Sequence, residues 1–294
     1  MSISVGCSGW SYDDWIGKFY PMDLAKKKGE WFSFYAGYFN SVEINSTFYR
    51  PPNDFMVNSW TLKAKAHPGF EYSVKMPKLV THESMVKGEA LAASEQATSF
   101  ERICVKPLAR MGMVGSVLLQ LSPYFRNEGS SQKTLASVLD AVSHADIDYS
   151  VEFRHRSWLD ESKREIVSDV AELLKERNVA IVLVDGPGFP ITHRETADHS
   201  YVRFHGRNYD IWYTDESEGD LRLNRYDYLY TKEQLEAWVP RIRESEKDVN
   251  KVRVFFNNHA TSKAVRNAFD MMDLLGIEHK SKEIRLQSQK TLSE

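Results

Sequence analysis

Several features that define common protein classes are missing from this sequence of 294 residues. Its two cysteines, Cys7 and Cys104, are too few and too far apart to indicate a disulfide framework or a zinc motif. No apolar run approaches the roughly 20 residues of a membrane span, and the N-terminal segment lacks the basic and apolar regions of a signal peptide. We therefore expect a cytoplasmic protein with no membrane partner.

The charge balance and the glycine pattern exclude two further classes. The chain carries 38 Lys and Arg against 41 Asp and Glu, a formal net charge of −3. A protein that binds nucleic acid through its overall charge would be strongly basic. No G-x-G-x-x-G segment follows any predicted strand, so nothing indicates a dinucleotide, and we predict no cofactor.

Short apolar runs rich in β-branched residues alternate along the chain with longer amphipathic stretches. Eight of these runs have the length and composition of buried strands. They are Ile3–Ser8, Ser41–Phe48, Glu71–Met76, Ser116–Leu121, Asp148–Arg154, Val179–Asp185, Tyr201–Gly206 and Lys251–Asn257.

The stretches between the runs predict amphipathic helices because their apolar residues recur at helical spacing. The clearest are Ala90–Arg110, Gln132–His144, Asp160–Asn178 and Thr261–Leu275. Ser157 or Asp160 would cap the third of these. Thr231 and Gln234 have the spacing of a capping box at the start of another helix.

Strands that alternate with helices pair in parallel through right-handed crossovers. Eight such repeats predict an α/β fold, a single TIM-type (β/α)8 barrel over residues 1–280, with a polar tail at 281–294. An open doubly wound sheet is the alternative. The connection Arg207–Tyr230 is long for a barrel loop, and loops of that length are usually functional or disordered.

In such barrels the active site lies at the carboxyl ends of the strands. Alternation along the second strand places Glu43, Asn45 and Thr47 on the face opposite the apolar Val42 and Ile44, so the polar three should point inward. The same reasoning directs further polar side chains toward the axis from other strands. These are Lys75, Gln120, Glu152, Arg154, Arg203, His205 and Asn257.

Glu43, Glu152 and His205 are the candidate catalytic residues. The two carboxyl groups would form an acid/base pair if burial raises the pKa of one of them. His205 would transfer protons near neutral pH. The alternative is an ion-pair network that only stabilises the barrel.

The remaining inward side chains and two rim aromatics are candidates for substrate binding. Lys75, Arg154 and Arg203 suit a phosphate or a carboxylate, which makes a small anionic ligand the expected partner. Trp10 and Tyr228 could stack on a sugar or a base. The full set is Trp10, Asn45, Thr47, Lys75, Gln120, Arg154, Arg203, Tyr228 and Asn257.

A divalent metal is only weakly indicated. Histidines and acids near the strand ends could serve as ligands, but none of them shows a local metal-binding spacing. They are Glu43, Glu152, His155, Asp185, His205 and His259. We therefore predict no metal ligand.

Several blocks of this sequence are typical of one family. They are Gly6-Cys7-Ser8-Gly9-Trp10-Ser11-Tyr12, Val42-Glu43-Ile44-Asn45-Ser46-Thr47-Phe48-Tyr49-Arg50, Leu118-Leu119-Gln120-Leu121, Val151-Glu152-Phe153-Arg154-His155, Val202-Arg203-Phe204-His205-Gly206-Arg207 and Phe256-Asn257-Asn258. On these blocks the chain resembles the YecE-like family, the "domain of unknown function 72" proteins. The resemblance implies a TIM-type barrel and does not imply an activity.

These observations favour an enzyme that acts on an anionic or sugar-containing small molecule by acid/base chemistry. One alternative is a protein that binds or processes nucleic acid, with phosphates held by basic residues of the loops. These are Arg50, Arg126, Arg154, Arg156 and Arg207. The other alternative is a barrel that binds a metabolite without catalysis.

Overall fold

Eight parallel strands form a closed barrel in a computed structural model, which describes residues 2–190, 195–211 and 225–280. Strands β1 to β8 are Ser2–Ser8, Ser41–Ile44, Glu71–Lys75, Val114–Gln120, Asp148–Glu152, Val179–Asp185, His199–Phe204 and Lys251–Phe256. Each strand pairs with the next, and β8 closes the barrel on β1, with Val5 beside Val254. The predicted TIM-type barrel is confirmed, and the open sheet is excluded.

Helices follow the strands around the outside of the barrel. In the described part of the chain, α1 to α10 are Trp31–Ala36, Ser46–Tyr49, Asp54–Ala64, Ala90–Phe100, Lys106–Arg110, Ser131–Ala141, Ser168–Lys175, Lys232–Glu236, Val239–Asp248 and Lys263–Leu274. The capping box of Thr231 and Gln234 at the start of α8 is present as predicted. No helix among the described residues is long and apolar enough to cross a membrane.

The helix predicted over Asp160–Asn178 is too long. The structure has α7 over Ser168–Lys175 alone, and neither Ser157 nor Asp160 caps it. The Asp160 carboxylate instead accepts hydrogen bonds from Ser162 Oγ at 2.7 Å and from neighbouring backbone N–H groups. A short acidic side chain that bonds to its own backbone stabilises a turn against a helix.

Two other predicted helices differ in detail. The stretch Ala90–Arg110 is helical throughout, but a π-helical turn at Glu101–Val105 separates α4 from α5. The last helix begins at Lys263, after a short turn in which Thr261 and Ser262 have positive φ angles. Residues 212–224 of the long loop and the tail at 281–294 lie outside the described residues.

Alternate side chains of the strands fill the barrel interior in layers. At the amino-terminal end Arg253 bridges Glu71, at 3.2 Å, and Asp148, at 2.7 Å. An apolar layer above it is formed by Leu118, Val182, Val184, Tyr201 and Phe255. The polar side chains at the carboxyl ends of the strands therefore lie next to an apolar layer of the barrel interior.

Candidate functional site

The centre of the carboxyl-terminal layer is a fully buried arginine between two fully buried carboxylates. Arg203 projects from β7 and donates from Nη2 to Glu43 Oε1 at 2.6 Å and from Nη1 to Glu152 Oε2. A buried arginine is stabilised only when its charge is paired, and here one guanidinium serves two acids. Burial opposes its charge, but Glu152 and Glu43 outweigh burial and raise the pKa of Arg203.

Glu43 has both carboxylate oxygens engaged. Oε1 accepts from Ser8 Oγ at 2.8 Å as well as from Arg203, and Oε2 accepts from Tyr201 Oη at 2.7 Å. Burial by itself would raise the pKa of Glu43, but the charge of Arg203 and these hydrogen bonds lower it below its ordinary value. Glu43 is therefore ionised at neutral pH.

Glu152 is held in the same way from the opposite side. Its Oε1 contacts Arg154 Nε and lies 3.2 Å from His205 Nε2. Burial again opposes ionisation, but Arg154 and Arg203 bring the pKa of Glu152 well below its ordinary value. The condition for an acid/base pair, a raised pKa in one of the two carboxyls, is not met, because each acid has an arginine within contact distance.

A chain of side-chain contacts runs from Glu152 through His205 to β8 and the end of β2. His205 Nδ1 lies 3.0 Å from Asn257 Nδ2, and Asn45 Nδ2 donates to Asn257 Oδ1 at 3.2 Å. Burial, together with Arg203 and Arg154, lowers the pKa of His205 to about 4 despite the neighbouring Glu152. His205 is thus a neutral imidazole at pH 7, and the expectation that it titrates near neutral pH is not met.

Gln120 and Arg154 form the more exposed edge of the cluster. Gln120 Oε1 accepts from Arg154 Nη2 and from Arg203 Nη1, each at 3.1 Å. The Arg154 side chain is 20% exposed, whereas those of Glu152 and Arg203 are sealed. Arg154 is therefore the arginine of the cluster that solvent or a ligand can reach.

Lys75 extends from the end of β3 over the face of a phenylalanine. Its Nζ lies 3.9 Å from the centroid of the Phe48 ring. Burial and the charges of Arg203 and Arg154 lower the pKa of Lys75 to about 7, against the opposing effect of Glu43 and Glu152. Lys75 is therefore the group of this cluster that titrates near neutral pH.

Two residues predicted from strand alternation are placed differently. Strand β2 ends at Ile44, and the chain turns at once into α2, so Asn45 and Thr47 do not share a strand face with Glu43. Thr47 Oγ1 accepts from the backbone N–H of Lys75 at 3.1 Å and donates to its carbonyl at 2.7 Å. Thr47 is buried and holds the backbone of Lys75.

The two aromatic candidates pack away from the charged cluster. The Trp10 ring lies at 5.5 Å from Phe32 and at 6.4 Å from Tyr72, two side chains on the helix side of the barrel. The Tyr228 hydroxyl accepts from Gln234 Nε2 at 2.8 Å, at the start of α8. Both positions are those of aromatics that pack a loop onto the barrel.

Sequence reasoning missed four residues of the site. Ser8 and Tyr201 bind Glu43, while Phe48 lies under Lys75 and meets the ring of His82 edge-on at 4.9 Å. Strand alternation assigns Ser8 and Tyr201 to the interior, so this signal could have found them. His82 lies in the π-helical turn Leu79–Ser84, and burial together with Lys75 and Arg154 lowers its pKa to about 4.

Three of the six metal-ligand candidates lie apart from Glu43, Glu152 and His205. Asp185 accepts from Arg207 Nε, Tyr230 Oη and Trp238 Nε1, at 2.6 to 2.9 Å, and so fixes the loop after β7. The His155 ring accepts from the backbone of Ser157, and the ring of His259 stacks on Tyr12. These three side chains are engaged outside the charged cluster.

Among the described residues, one group has ligand atoms near enough for a metal ion. It consists of Asp148, Asp198 and His199, at the amino-terminal end of the strands. Asp148 there is already paired with Arg253. This end of a TIM-type barrel ordinarily serves stability.

The basic residues proposed to hold nucleic acid divide into paired and exposed members. Arg154 is paired with Glu152, and Arg207 forms a bidentate pair with Asp185 at 2.8 and 2.6 Å. The exposed members are Arg50, Arg126 and Arg156. Both paired arginines remain partly exposed, Arg154 at 20% and Arg207 at 29% of the side chain.

Comparisons with known proteins agree with this architecture. The family model described as "Protein of unknown function DUF72" matches residues 4–291. The UPF0759 protein YunF of Bacillus subtilis (strain 168) is 27% identical over 286 residues, covering 94% of this chain and 96% of YunF. The match extends over nearly the whole of both chains.

Solved structures show the same likeness. A DUF72 family protein from Thermotoga maritima MSB8 is 30% identical, with a TM-score of 0.79 over 94% of this chain and all of that chain, 100%. A DUF72 family protein from Enterococcus faecalis V583 is 22% identical, with a TM-score of 0.77 over 95% of this chain and 97% of that one, and shows the shared fold. Since the family model spans almost the entire sequence, this protein belongs to the DUF72 family.

Proposed function

We propose that this protein is an enzyme that binds a small anionic molecule at the carboxyl-terminal mouth of the barrel and transfers a proton on it. The observation that carries the proposal is that the charged side chains of the polar cluster differ in burial and in pairing. Both carboxylates contact Arg203 in the sealed interior, whereas Arg154 is 20% exposed beside its pairing with Glu152, and Lys75 makes no ion pair among the described residues. Such a balance favours an anion as the ligand.

The charge count supports the same conclusion. Glu43 and Glu152 face three basic side chains, Arg203, Arg154 and Lys75, so the cluster has one cation more than it has anions when Lys75 is protonated. Uncompensated charge in a buried setting is costly, and a bound carboxylate or phosphate would remove that cost.

The proton-transfer part of the proposal rests on Lys75 and His205. A general acid or base works best when its pKa lies near the working pH, and Lys75 meets this condition. The neutral imidazole of His205 can accept a hydrogen bond or a proton from a ligand that displaces a neighbour. Glu152 is a positioning residue, since it contacts both His205 and Arg154.

Calorimetric titration of the whole protein with orthophosphate and with pyruvate at low ionic strength tests the binding half. Arg154→Gln and Lys75→Met should each weaken binding about ten-fold or more, because a hydrogen bond to a charged group contributes ~1.5–3 kcal/mol. Arg126→Gln is the control, since it removes an equal charge from an exposed position. Equal affinities in the three variants would refute the anion site.

Proton exchange tests the catalytic half. Pyruvate in D2O should lose its methyl proton signal faster with the protein than in buffer, and Lys75→Met should abolish the difference. The rate of exchange, plotted against pH, should show an inflection near the pKa of Lys75, as expected when this amine takes part in the reaction. Saturable binding without exchange of any carbon-bound proton would refute the proposed catalysis. The protein would then be a barrel that binds a metabolite without reaction.

A further inference from the structure

We propose that Lys75 is a nucleophile that forms an imine with the carbonyl group of the substrate, which makes the substrate an anionic aldehyde, ketone or keto acid. The proposal rests on the proposed function, since it names the substrate class of the same site. It begins from the position of Lys75 at the carboxyl end of β3, beside the charged cluster. Catalytic side chains of TIM-type barrels come from the strand ends.

Lys75 differs from the other basic side chains of the cluster in having no anionic partner. Arg203 and Arg154 each contact a carboxylate, whereas Nζ of Lys75 makes no hydrogen bond or ion pair within residues 2–190, 195–211 and 225–280. Lys75 is 7% exposed, whereas Arg203 and Glu152 are fully buried, so Lys75 lies nearer to solvent than they do. The lone pair of its neutral form is therefore free to react.

The surroundings favour the neutral amine that a nucleophile must be. Burial removes water from Nζ and the guanidinium groups of Arg203 and Arg154 oppose a further positive charge nearby, whereas the face of the Phe48 ring attracts an ammonium group. A lysine in an apolar pocket or beside another cation is activated for attack on a carbonyl. Glu43 and Glu152 act in the opposite sense, but both are neutralised by arginine.

The backbone of Lys75 is held in place from two directions. Thr47 Oγ1 bonds to both the N–H and the C=O of Lys75, and the pair Lys75–Leu118 joins β3 to β4. A covalent step requires the reacting atom to be held close to its target. Thr47 is therefore a positioning residue for Lys75.

The covalent step balances without any further reagent. The lone pair of Nζ attacks the carbonyl carbon, and a proton moves from the nitrogen to the oxygen. The carbinolamine that results loses its hydroxyl group and the remaining nitrogen proton as water. The product is an imine, and protonation of its nitrogen makes the hydrogens on the carbon attached to the imine carbon more acidic. Loss of one of these protons to the neutral imidazole of His205 is the proton transfer of the proposed function, with the ligand carboxylate held at Arg154.

Trapping with sodium cyanoborohydride tests the imine. The whole protein is incubated near neutral pH with pyruvate and the reductant, digested, and analysed by mass spectrometry. The peptide with Lys75 should gain the mass of pyruvate less one oxygen atom. Labelling of Lys75 should exceed that of the exposed Lys78 about ten-fold or more, because the surroundings of Lys75 favour the neutral amine that attacks the carbonyl.

Lys75→Arg should lose this adduct while every other labelled peptide stays unchanged, and Lys78→Arg is the matched control. Circular dichroism and thermal melting show whether the Lys75 variant is folded. The comparison of Lys75 with Lys78 within the wild-type protein needs no variant. Equal labelling of the two lysines there would overturn the proposal.

A second probe separates this proposal from the function on which it rests. Propanal has a carbonyl group but no carboxylate, so Arg154→Gln should reduce labelling by pyruvate more than labelling by propanal, which loses only the effect of Arg154 on the pKa of Lys75. Labelling by both probes without any effect of Arg154→Gln would support the imine and refute the anion site. Binding of pyruvate in the calorimeter without an adduct at Lys75 would refute the imine and leave the anion site standing.

Discussion

Replacement of Arg203 by methionine tests the central feature of the site, the arginine shared by two sealed carboxylates. Removal of one partner of a buried ion pair costs about 3–5 kcal/mol, because the other charge stays buried without compensation. Glu152 keeps its contact with Arg154 in this variant. Among the described residues, Glu43 keeps the hydroxyl groups of Ser8 and Tyr201, which carry no charge. We expect a loss near the upper end of that range at about pH 8.

The expected dependence on pH follows from the direction of each pKa. In the wild type the pKa values of Glu43 and Glu152 are lowered, so these groups add stability above the unfolded value of about 4.3 and lose it as the pH falls. Without Arg203, burial raises the pKa of Glu43 above the unfolded value, and the carboxyl takes up a proton as the pH is lowered. The difference between variant and wild type should therefore shrink toward about pH 5.

Urea unfolding, followed by tryptophan fluorescence at both pH values, measures these differences. For a chain of this length a loss of ~4 kcal/mol corresponds to about 5–8 °C in Tm. Arg177→Met is the control, because Arg177 forms a bidentate pair with Asp140, which is 59% exposed, and such surface pairs contribute up to ~1 kcal/mol. The reasoning fails if Arg203→Met costs no more than this control, or if its cost is the same at both pH values.

Two further substitutions test the support of the site. Asp185→Asn should destabilise the protein by ~2–4 kcal/mol in urea unfolding, because the partly exposed Arg207 and the buried Trp238 lose their anionic acceptor, and a loss below ~1 kcal/mol would contradict this assignment. Gly186→Ala would place a methyl group 3.2 Å from His205 Cβ, which is tighter than ordinary contact. It should cost ~1–3 kcal/mol and weaken orthophosphate binding, whereas wild-type values for both would show that the His205 ring has room to move.

The barrel could be predicted from the sequence because its strands are buried on both faces. A parallel strand covered by helices is a short, nearly continuous apolar run, so Val179–Asp185 has in the structure the bounds that the sequence predicts. Thr231 and Gln234 likewise form the predicted capping box, since this contact lies within one turn of chain. Patterns of this kind depend only on residues that are close together in the sequence, so they can be predicted without the tertiary structure.

Where an element ends was harder to predict. Alternation continues past Ile44 in the sequence, yet the chain turns there into α2 and carries Thr47 to the backbone of Lys75. The helical pattern of Asp160–Asn178 begins before the helix does, because Asp160 binds its own turn. Contacts with other parts of the fold decide these boundaries, so the local pattern does not contain them.

The sequence by itself determined the closed barrel and the inward direction of Glu43, Glu152, Arg203 and His205, because strand periodicity fixes the face on which each side chain lies. Only the tertiary structure decided which charges meet and what their protonation states are. The pKa of a buried group is a difference between a large desolvation cost and large Coulomb energies, and both depend on distances between strands. The same sequence pattern thus gives two ionised acids held by arginine, a neutral histidine, and in Lys75 an amine without an anionic partner among the described residues.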